Sequence, residues 1–199
     1  MENNEIKQVA VVGSGTMGSQ IAMVCALAGY QTILQDIDPE NLEKAKKFLR
    51  EQMEKRVAKG RYTQEEVESA FKRLNLTENI ECLSNTNLVI EAIVEKLDAK
   101  RHLFAKLDKI VGPQTIFATN SSTIVSSKLA DVVSHPENVC NIHFFNPVLV
   151  LEMVEVVKGP HTSYETAERS MEFVKSIRKT PVLLKKRFPV LSPIEFSEN

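Results

Sequence analysis

The chain has 199 residues, 43% of them hydrophobic and 26% charged, with a formal net charge of -1 at pH 7. Those proportions can fill the core of one domain, and the near-neutral balance without a basic-aromatic pattern argues against a nucleic-acid platform. No apolar run reaches membrane-spanning length and the start, MENNEIKQ, is too polar for a signal peptide, so a cytoplasmic location and no membrane partner are expected. Cys25, Cys82 and Cys140 show neither paired spacing nor a metal-ligand cluster; core packing is their expected role, and no metal site is expected.

In chain order, residues 9–36 read as strand, glycine turn, helix, second strand and terminal aspartate. Val9 to Val12 are small or branched apolar residues suited to a strand buried on both faces. Gly13, Gly15 and Gly18 then supply the G-x-G-x-x-G spacing. The first permits a tight turn, the second lets a pyrophosphate approach the backbone, and the third lets the helix lie against the strand. The second strand, Gln31 to Leu34, leads to Asp36, about twenty residues beyond the glycines, where a carboxylate accepts ribose hydroxyls and repels a 2′-phosphate. The expected cofactor is therefore NAD rather than NADP.

Pro39 opens a helix with Leu42, Ala45, Phe48, Leu49, Met53 and Val57 on its apolar side and Gly60 as its stop. Thr63 and Glu66 form a capping box for a second helix carrying Val67, Ala70, Phe71 and Leu74. This pair, about residues 39–76, is expected to project from the sheet as a helical hairpin insertion because its outer faces are highly charged. A strand at Leu88 to Ile90 ends in EAIVE, and a helix follows from Leu97 to Ile110. Thr115 to Ala118 form a strand that empties into TNSST, with a helix expected near Ile124 to Ala130. A strand near Val139 to Ile142 opens into HFFNP, and Met153 to Val157 make a further strand. A helix over Tyr164 to Ile177 precedes the strand-like VLLKKR after Pro181. Alternating strands and helices specify an α/β, doubly wound, mostly parallel sheet whose ligand crevice lies outside the strand ends.

Polar residues gather at those ends. His143 leaves an apolar strand and is the best proton-transfer candidate of the four histidines. Glu155 lies inside the apolar run MVEVV, where an unpaired carboxylate is costly; a histidine partner satisfies it and fixes the imidazole tautomer, the alternative being a solvated strand edge. Asn120, Ser121, Ser122 and Asn146 can hold a carbonyl or alcohol oxygen, although N-S-S and F-N-P segments also form ordinary turns. Neither segment is a G-x-S-x-G elbow, which argues against a serine nucleophile and for hydride transfer with an accompanying proton transfer. Glu91, Ala92, Glu95, Lys96 and Lys100 either meet the cofactor or cap and solvate the next helix. Arg56, Lys59 and Arg61 at the tip of the helix pair either meet phosphates of a bulky acyl carrier or are simply solvated.

With these residues in place, VVGSGTMGSQIA, EAIVE, TNSS, HFFNPV and MVEVVKG resemble, in order over about residues 6–186, the NAD-binding domain of the 3-hydroxyacyl-CoA dehydrogenase family, especially its short-chain 3-hydroxybutyryl-CoA form. The resemblance implies a Rossmann-like domain over residues 1–188, a separate all-helical domain beyond it, and NAD-dependent interconversion of (3S)-3-hydroxyacyl-CoA and 3-ketoacyl-CoA. It implies His143 as general base paired with Glu155, and Ser122 and Asn146 on the reacting oxygen or the cofactor. NAD contacts are implied for Gly13, Gly15, Thr16, Met17, Asp36, Ala92, Glu95, Lys100, Asn120 and Ser122, with Gly18 in the turn itself. Two other readings stand beside it: a catalytically silent NAD-binding or interaction domain, and a dehydrogenase of a small free 3-hydroxy acid.

The chain departs from that family's pattern at Leu149, a common proline position whose loss implies a less rigid turn, and at Glu152, where lysine is frequent. Residues 189–199 are atypical. The family continues here through a P-G-F-V-x-N-R segment into the helical domain that supplies most of its dimer contact. A chain without that domain is expected to bind NAD, to turn over weakly or not at all, and to lack the main dimer surface. VLSPIEFS can be written GTT TTG TCT CCA ATA GAA TTC TCC; read one base earlier, after a proline codon ending in G, it becomes Gly-Phe-Val-Ser-Asn-Arg-Ile-Leu. A frame change near Pro189 is the resulting expectation. Sequencing the coding DNA checks it: the alternative frame should spell GFVSNR, and a coding strand from which that segment cannot be recovered rejects the reading.

Overall fold

Val9 to Val12 alternate between two cores, Val9 and Val11 packing on one face of the sheet and Ala10 and Val12 on the other, as a strand covered on both sides requires. The computed structural model describes residues 5–185; the expectations about residues 186–199, the atypical tail included, lie outside the described residues. Strands β1 (Gln8–Val12), β2 (Gln31–Gln35), β3 (Leu74–Thr77), β4 (Leu88–Glu91), β5 (Ile116–Thr119), β6 (Val139–Phe144), β7 (Met153–Val157) and β8 (Thr180–Leu184) form one eight-stranded sheet. Its order is β3-β2-β1-β4-β5-β6-β7-β8. The first six run parallel; β7 is antiparallel to β6, and β8 is parallel to β7.

Helices α1 (Thr16–Leu27), α2 (Pro39–Ala58), α3 (Gln64–Arg73) and α5 (Tyr164–Ser176) contribute to the core on one face, and α4 (Leu97–Leu107) covers the other. This is the doubly wound, Rossmann-like architecture expected from the alternation of elements. Its strand order reverses between β1 and β4, the point at which such sheets open a ligand crevice.

Local chemistry sets the element ends. Asp38 caps α2 by accepting the Glu40 amide at 2.9 Å, Pro39 occupies the first turn, and Gly60 adopts φ 65 just past the helix end. At α3, the Glu66 amide donates to Thr63 Oγ1 at 3.1 Å and the Thr63 amide donates to Glu66 Oε2 at 2.7 Å, closing the capping box.

The α2–α3 pair buries its apolar side, with Leu42, Ala45, Leu49, Met53, Val67 and Ala70 in the same core as α1. Three expectations need correction. The last residues of the pair, Leu74–Thr77, are the edge strand β3, which begins at the cap of α3 with no linker to announce it. The helix expected near Ile124 to Ala130 is replaced by short 3-10 turns at Ser126–Lys128 and Ala130–Val132. Side chains take the backbone groups that a helix would have used there: the Ile124 amide donates to Ser121 Oγ at 2.7 Å, and Asn141 both accepts the Ser126 amide at 2.9 Å and donates to the Ile124 carbonyl at 3.3 Å. Finally, Cys25 and Cys140 pack in the core, but Cys82 is exposed.

The turn between β1 and α1 holds the closest approach of any glycine position among the described residues. Gly13 has φ 100, and a Cβ there would meet the Ala92 carbonyl oxygen at 2.6 Å; a Cβ on Gly18 would sit 1.8 Å from the Gly13 carbonyl oxygen. At Gly15 a Cβ meets nothing within 4 Å. Gly18→Ala is therefore expected to destabilise the domain by about 3 kcal/mol or more, since the backbone of two elements must move apart. Gly15→Ala should leave stability within about 0.5 kcal/mol. Urea unfolding of the two variants checks the contrast, and equal midpoints would remove this account of the turn.

Candidate active site

The carboxyl ends of β1, β2 and β4 frame a cleft of about 790 Å³ lined by Gly13, Gly15, Asp36, Ala92 and a largely apolar set that includes Ile37, Ile80, Ile93, Val94 and Leu103. Helix α1 starts at this cleft with Gly15 as its cap, no capping side chain and no acidic residue in its first turn. The amides of Thr16, Met17 and Gly18 precede the first intrahelical donor and so face outward, an arrangement that favours an anion. Thr16 is exposed, while Met17 packs partly into the core, which leaves its amide as its means of reaching a ligand. Asp36 stands across from them. Its carboxylate accepts the Ser14 amide at 2.7 Å, the Ser14 hydroxyl at 2.8 Å and the Asp38 amide at 3.1 Å. Burial pushes this carboxyl up, but the hydrogen bonds from Ser14 and Asp38 outweigh it and hold the pKa below the ordinary value. Ser14, which the sequence did not single out, is the residue that aims Asp36 at the cleft.

Beneath the cleft lies an ion pair. Lys100 Nζ is 2.5 Å from Glu91 Oε1, and the two side chains are 1% and 0% exposed. Glu91 also accepts the Ile93 amide at 2.8 Å and the Thr119 hydroxyl at 2.7 Å, while Lys100 reaches Glu95 Oε2 at 3.2 Å and the Ile93 carbonyl at 3.5 Å. With its ammonium engaged by Glu91, Glu95 and the Ile93 carbonyl, Lys100 braces the 92–95 loop from below. A buried pair of this kind is tolerable because further hydrogen bonds satisfy both partners. Glu95 joins this brace to the next loop: it accepts from the Ser121 hydroxyl, and from the Thr123 hydroxyl at 2.7 Å. Burial opposes its charge, but Ser121, Thr123 and Lys100 together bring its pKa down to about 2.

His143 and Glu155 are directly opposite each other on the antiparallel strands β6 and β7. Histidine Nδ1 donates to Glu155 Oε2 at 2.9 Å, with side chains 10% and 24% exposed. The solvated-edge alternative for Glu155 is thereby removed. The strand runs two residues further than the sequence indicated, so His143 is within β6 rather than past its end. Phe145 packs edge-on to the imidazole at 4.7 Å between centroids. Asn120 ties the neighbouring strand to this one: its Oδ1 accepts the Phe144 amide at 2.9 Å. Ser122 and Asn146 follow the ends of β5 and β6, are exposed, and form no side-chain hydrogen bond among the described residues. They are thus placed at the same sheet edge as His143 and left open to a ligand, whereas Ser121 is buried and committed to Glu95.

The segment after His143 is more restrained than the loss of a proline implied. Gln20, 3% exposed on α1, accepts the Leu149 amide at 3.2 Å and donates to the Thr16 carbonyl at 2.9 Å. Lys179 donates to the Val148 and Leu151 carbonyls, both at 2.7 Å. Beside this segment a second cleft of about 580 Å³ brings Arg56, Lys59 and Arg61 together with Lys55, Arg178 and Lys179, with Glu152 as the carboxylate among them. The sequence could group the first three, which share one helical tip; it gave no sign that the α5–β8 turn would face them.

The site thus has a glycine-floored groove for a dinucleotide, an imidazole held by a carboxylate, and a cationic cleft, all along one sheet edge. Over residues 8–187 the chain matches the family model of the 3-hydroxyacyl-CoA dehydrogenase NAD-binding domain. It is 40% identical over 178 residues to a probable 3-hydroxybutyryl-CoA dehydrogenase of Bacillus subtilis, covering 89% of this chain and 62% of that protein. To the 3-hydroxyadipyl-CoA dehydrogenase of Escherichia coli it is 42% identical over 177 residues, covering 89% of this chain and 37% of the relative. The crystal structure of an Escherichia coli 3-hydroxybutyryl-CoA dehydrogenase superposes with a TM-score of 0.88 at 41% identity, over 90% of this chain and 38% of that one. The chain therefore spans less than two thirds of the length of these relatives. Sequence and architecture agree that it belongs to the 3-hydroxyacyl-CoA dehydrogenase family, of which it carries the NAD-binding domain.

Proposed function

We propose that the protein interconverts (3S)-3-hydroxyacyl-CoA, with 3-hydroxybutyryl-CoA as the favoured chain length, and 3-ketoacyl-CoA, using NAD in the cytoplasm. The observation that carries this reading is the His143–Glu155 contact at 2.9 Å on the sheet edge that also holds the glycine turn. The residues present fit the cofactor: Gly15 leaves open space where a side chain would stand, Gly13 and Gly18 have room for hydrogen only, and Asp36 is held ready for ribose hydroxyls. When bound, NAD supplies the hydride acceptor at the substrate's C3.

The chain's own residues handle the proton. Glu155 accepts from Nδ1 of His143, which leaves Nε2 as the free base toward the substrate. As the C3 hydride departs, Nε2 takes the proton of the 3-hydroxyl, and the adjacent carboxylate stabilises the resulting imidazolium. In the reverse direction the same nitrogen returns the proton to the forming alkoxide. Ser122 and Asn146, both unengaged, hold the reacting oxygen. Arg56, Lys59 and Arg61 in the cationic cleft give the phosphates of the acyl carrier a place to bind, which favours a thioester over a small free acid.

NADH formation from (3S)-3-hydroxybutyryl-CoA, paired with NAD calorimetry, tests the reading. His143→Ala and Glu155→Gln should each lower kcat by about 10²- to 10⁴-fold while NAD affinity is retained. NAD binding without any NADH formation in the unmodified protein would instead favour the silent domain. Asp36→Ala should weaken NAD by about tenfold, through loss of hydrogen bonds to a charged group, and narrow the preference over NADP; an unchanged NAD/NADP ratio would remove Asp36 from cofactor selection.

A further inference from the structure

Helix α5 ends in a turn that is costly for the residue it contains. Arg178 has φ 59, the only positive φ at a non-glycine residue among the described residues. The turn is closed by Arg178 N–H to the Lys175 carbonyl at 2.9 Å and by Lys179 N–H to the Val174 carbonyl at 3.1 Å. At the position just past a helix, glycine adopts this conformation freely, whereas an L side chain is strained. A strained residue held by its surroundings at a ligand cleft motivates a search for what its side chain does.

The side chain faces the cationic cleft of about 580 Å³. The register locates that cleft: Thr180 starts β8 opposite Met153, and the next pair on β7, Val154, faces Phe144, so the α5–β8 turn lies at the edge of the sheet that carries His143. Lys179, its neighbour, is occupied as a strut on the Val148 and Leu151 carbonyls. The Arg178 side chain makes no hydrogen bond or salt bridge among the described residues, with Glu66 only within electrostatic reach. Around it the cleft sets five further cationic side chains, Lys55, Arg56, Lys59, Arg61 and Lys179, against one carboxylate, Glu152. Such an excess of positive charge is a docking field for a polyanion, and a planar guanidinium is suited to grip phosphate oxygens in pairs.

We propose that Arg178 is a specificity-determining residue that binds a phosphate of the nucleotide end of the acyl carrier, retained in the left-handed turn for that contact despite the backbone strain. The inference rests on the acyl-CoA reading of the site. It separates a nucleotide-bearing carrier from one that presents pantetheine alone.

Calorimetry with free CoA and with pantetheine, on the unmodified chain and on R178G and R178A, tests it. CoA should bind more tightly than pantetheine to the unmodified chain. Both variants should weaken CoA by about tenfold and reduce its salt sensitivity, with pantetheine unaffected. R178G, which relieves the turn, should melt about 3 °C higher than the unmodified chain, and R178A should not. CoA affinity unchanged in both variants overturns the role of Arg178 and leaves the acyl-CoA reading standing. If the unmodified chain shows no preference for CoA over pantetheine, the carrier cleft and the inference fall together. A lower melting temperature for R178G removes the premise that the backbone is strained on behalf of the side chain.

Discussion

Everything at the ligand edge is referred to one contact, where α1, β1 and the end of β4 meet with room for hydrogen atoms only. A Cβ on Gly18 would lie 1.8 Å from the Gly13 carbonyl oxygen, and one on Gly13 would lie 2.6 Å from that of Ala92. The consequence is a helix pressed against the sheet so closely that residues Gly18 to Ala26 are all buried. Helices α2 and α3 then pack on α1, and its uncapped start is delivered to the point where the strand order reverses. A helix set further out would keep its outward amides but lose their position over the groove.

The reversal of chain direction at β7 does the corresponding work for the proton-transfer pair. In an antiparallel ladder the side chains of opposed residues stand side by side on one face, so the pairing of His143 with Glu155 follows from register alone. The carboxylate is then satisfied inside an apolar strand, and the imidazole keeps one nitrogen for chemistry. Alignment with the parallel part of the sheet comes from Asn120, which bonds the amide of the residue after His143. Glu95 holds the neighbouring loop out of helical conformation by accepting from Ser121 and Thr123, and Ser122 between them is left facing outward.

What could be read in the sequence was local or was forced by a conflict. The β1–α1–β2 unit is specified by spacing within thirty or so residues, since the glycines and Asp36 have fixed geometric duties. The His143–Glu155 pair was legible because a carboxylate in MVEVV demands a partner. Features decided by tertiary competition were not. Residues 124–130 have adequate helical pattern, but Asn141 and Ser121 compete for their backbone groups from elsewhere in the fold. Lys100 read as a cation that either meets the cofactor or solvates its helix, and only the structure shows its buried pairing with Glu91. Strand β3 is four residues long and starts where α3 stops, so its edge pairing to β2 leaves little trace in composition.

The two halves of the site are also joined through α1. Gln20 lies one turn beyond Thr16, whose amide belongs to the anion-facing start of the helix, and it bonds both the Thr16 carbonyl and the Leu149 amide. A proline at position 149 would present no N–H; with leucine there, the amide exists and must be satisfied in a partly buried setting, and Gln20 satisfies it. Stiffness that a proline ring would supply within the loop is supplied instead from outside, by α1 through Gln20 and by the α5–β8 turn through Lys179. The segment downstream of the imidazole is consequently indexed to the same helix that faces the cofactor groove. A shift of α1 relative to β1 would disturb the wall beyond His143 as well as the glycine floor, so the close glycine contact constrains both halves at once.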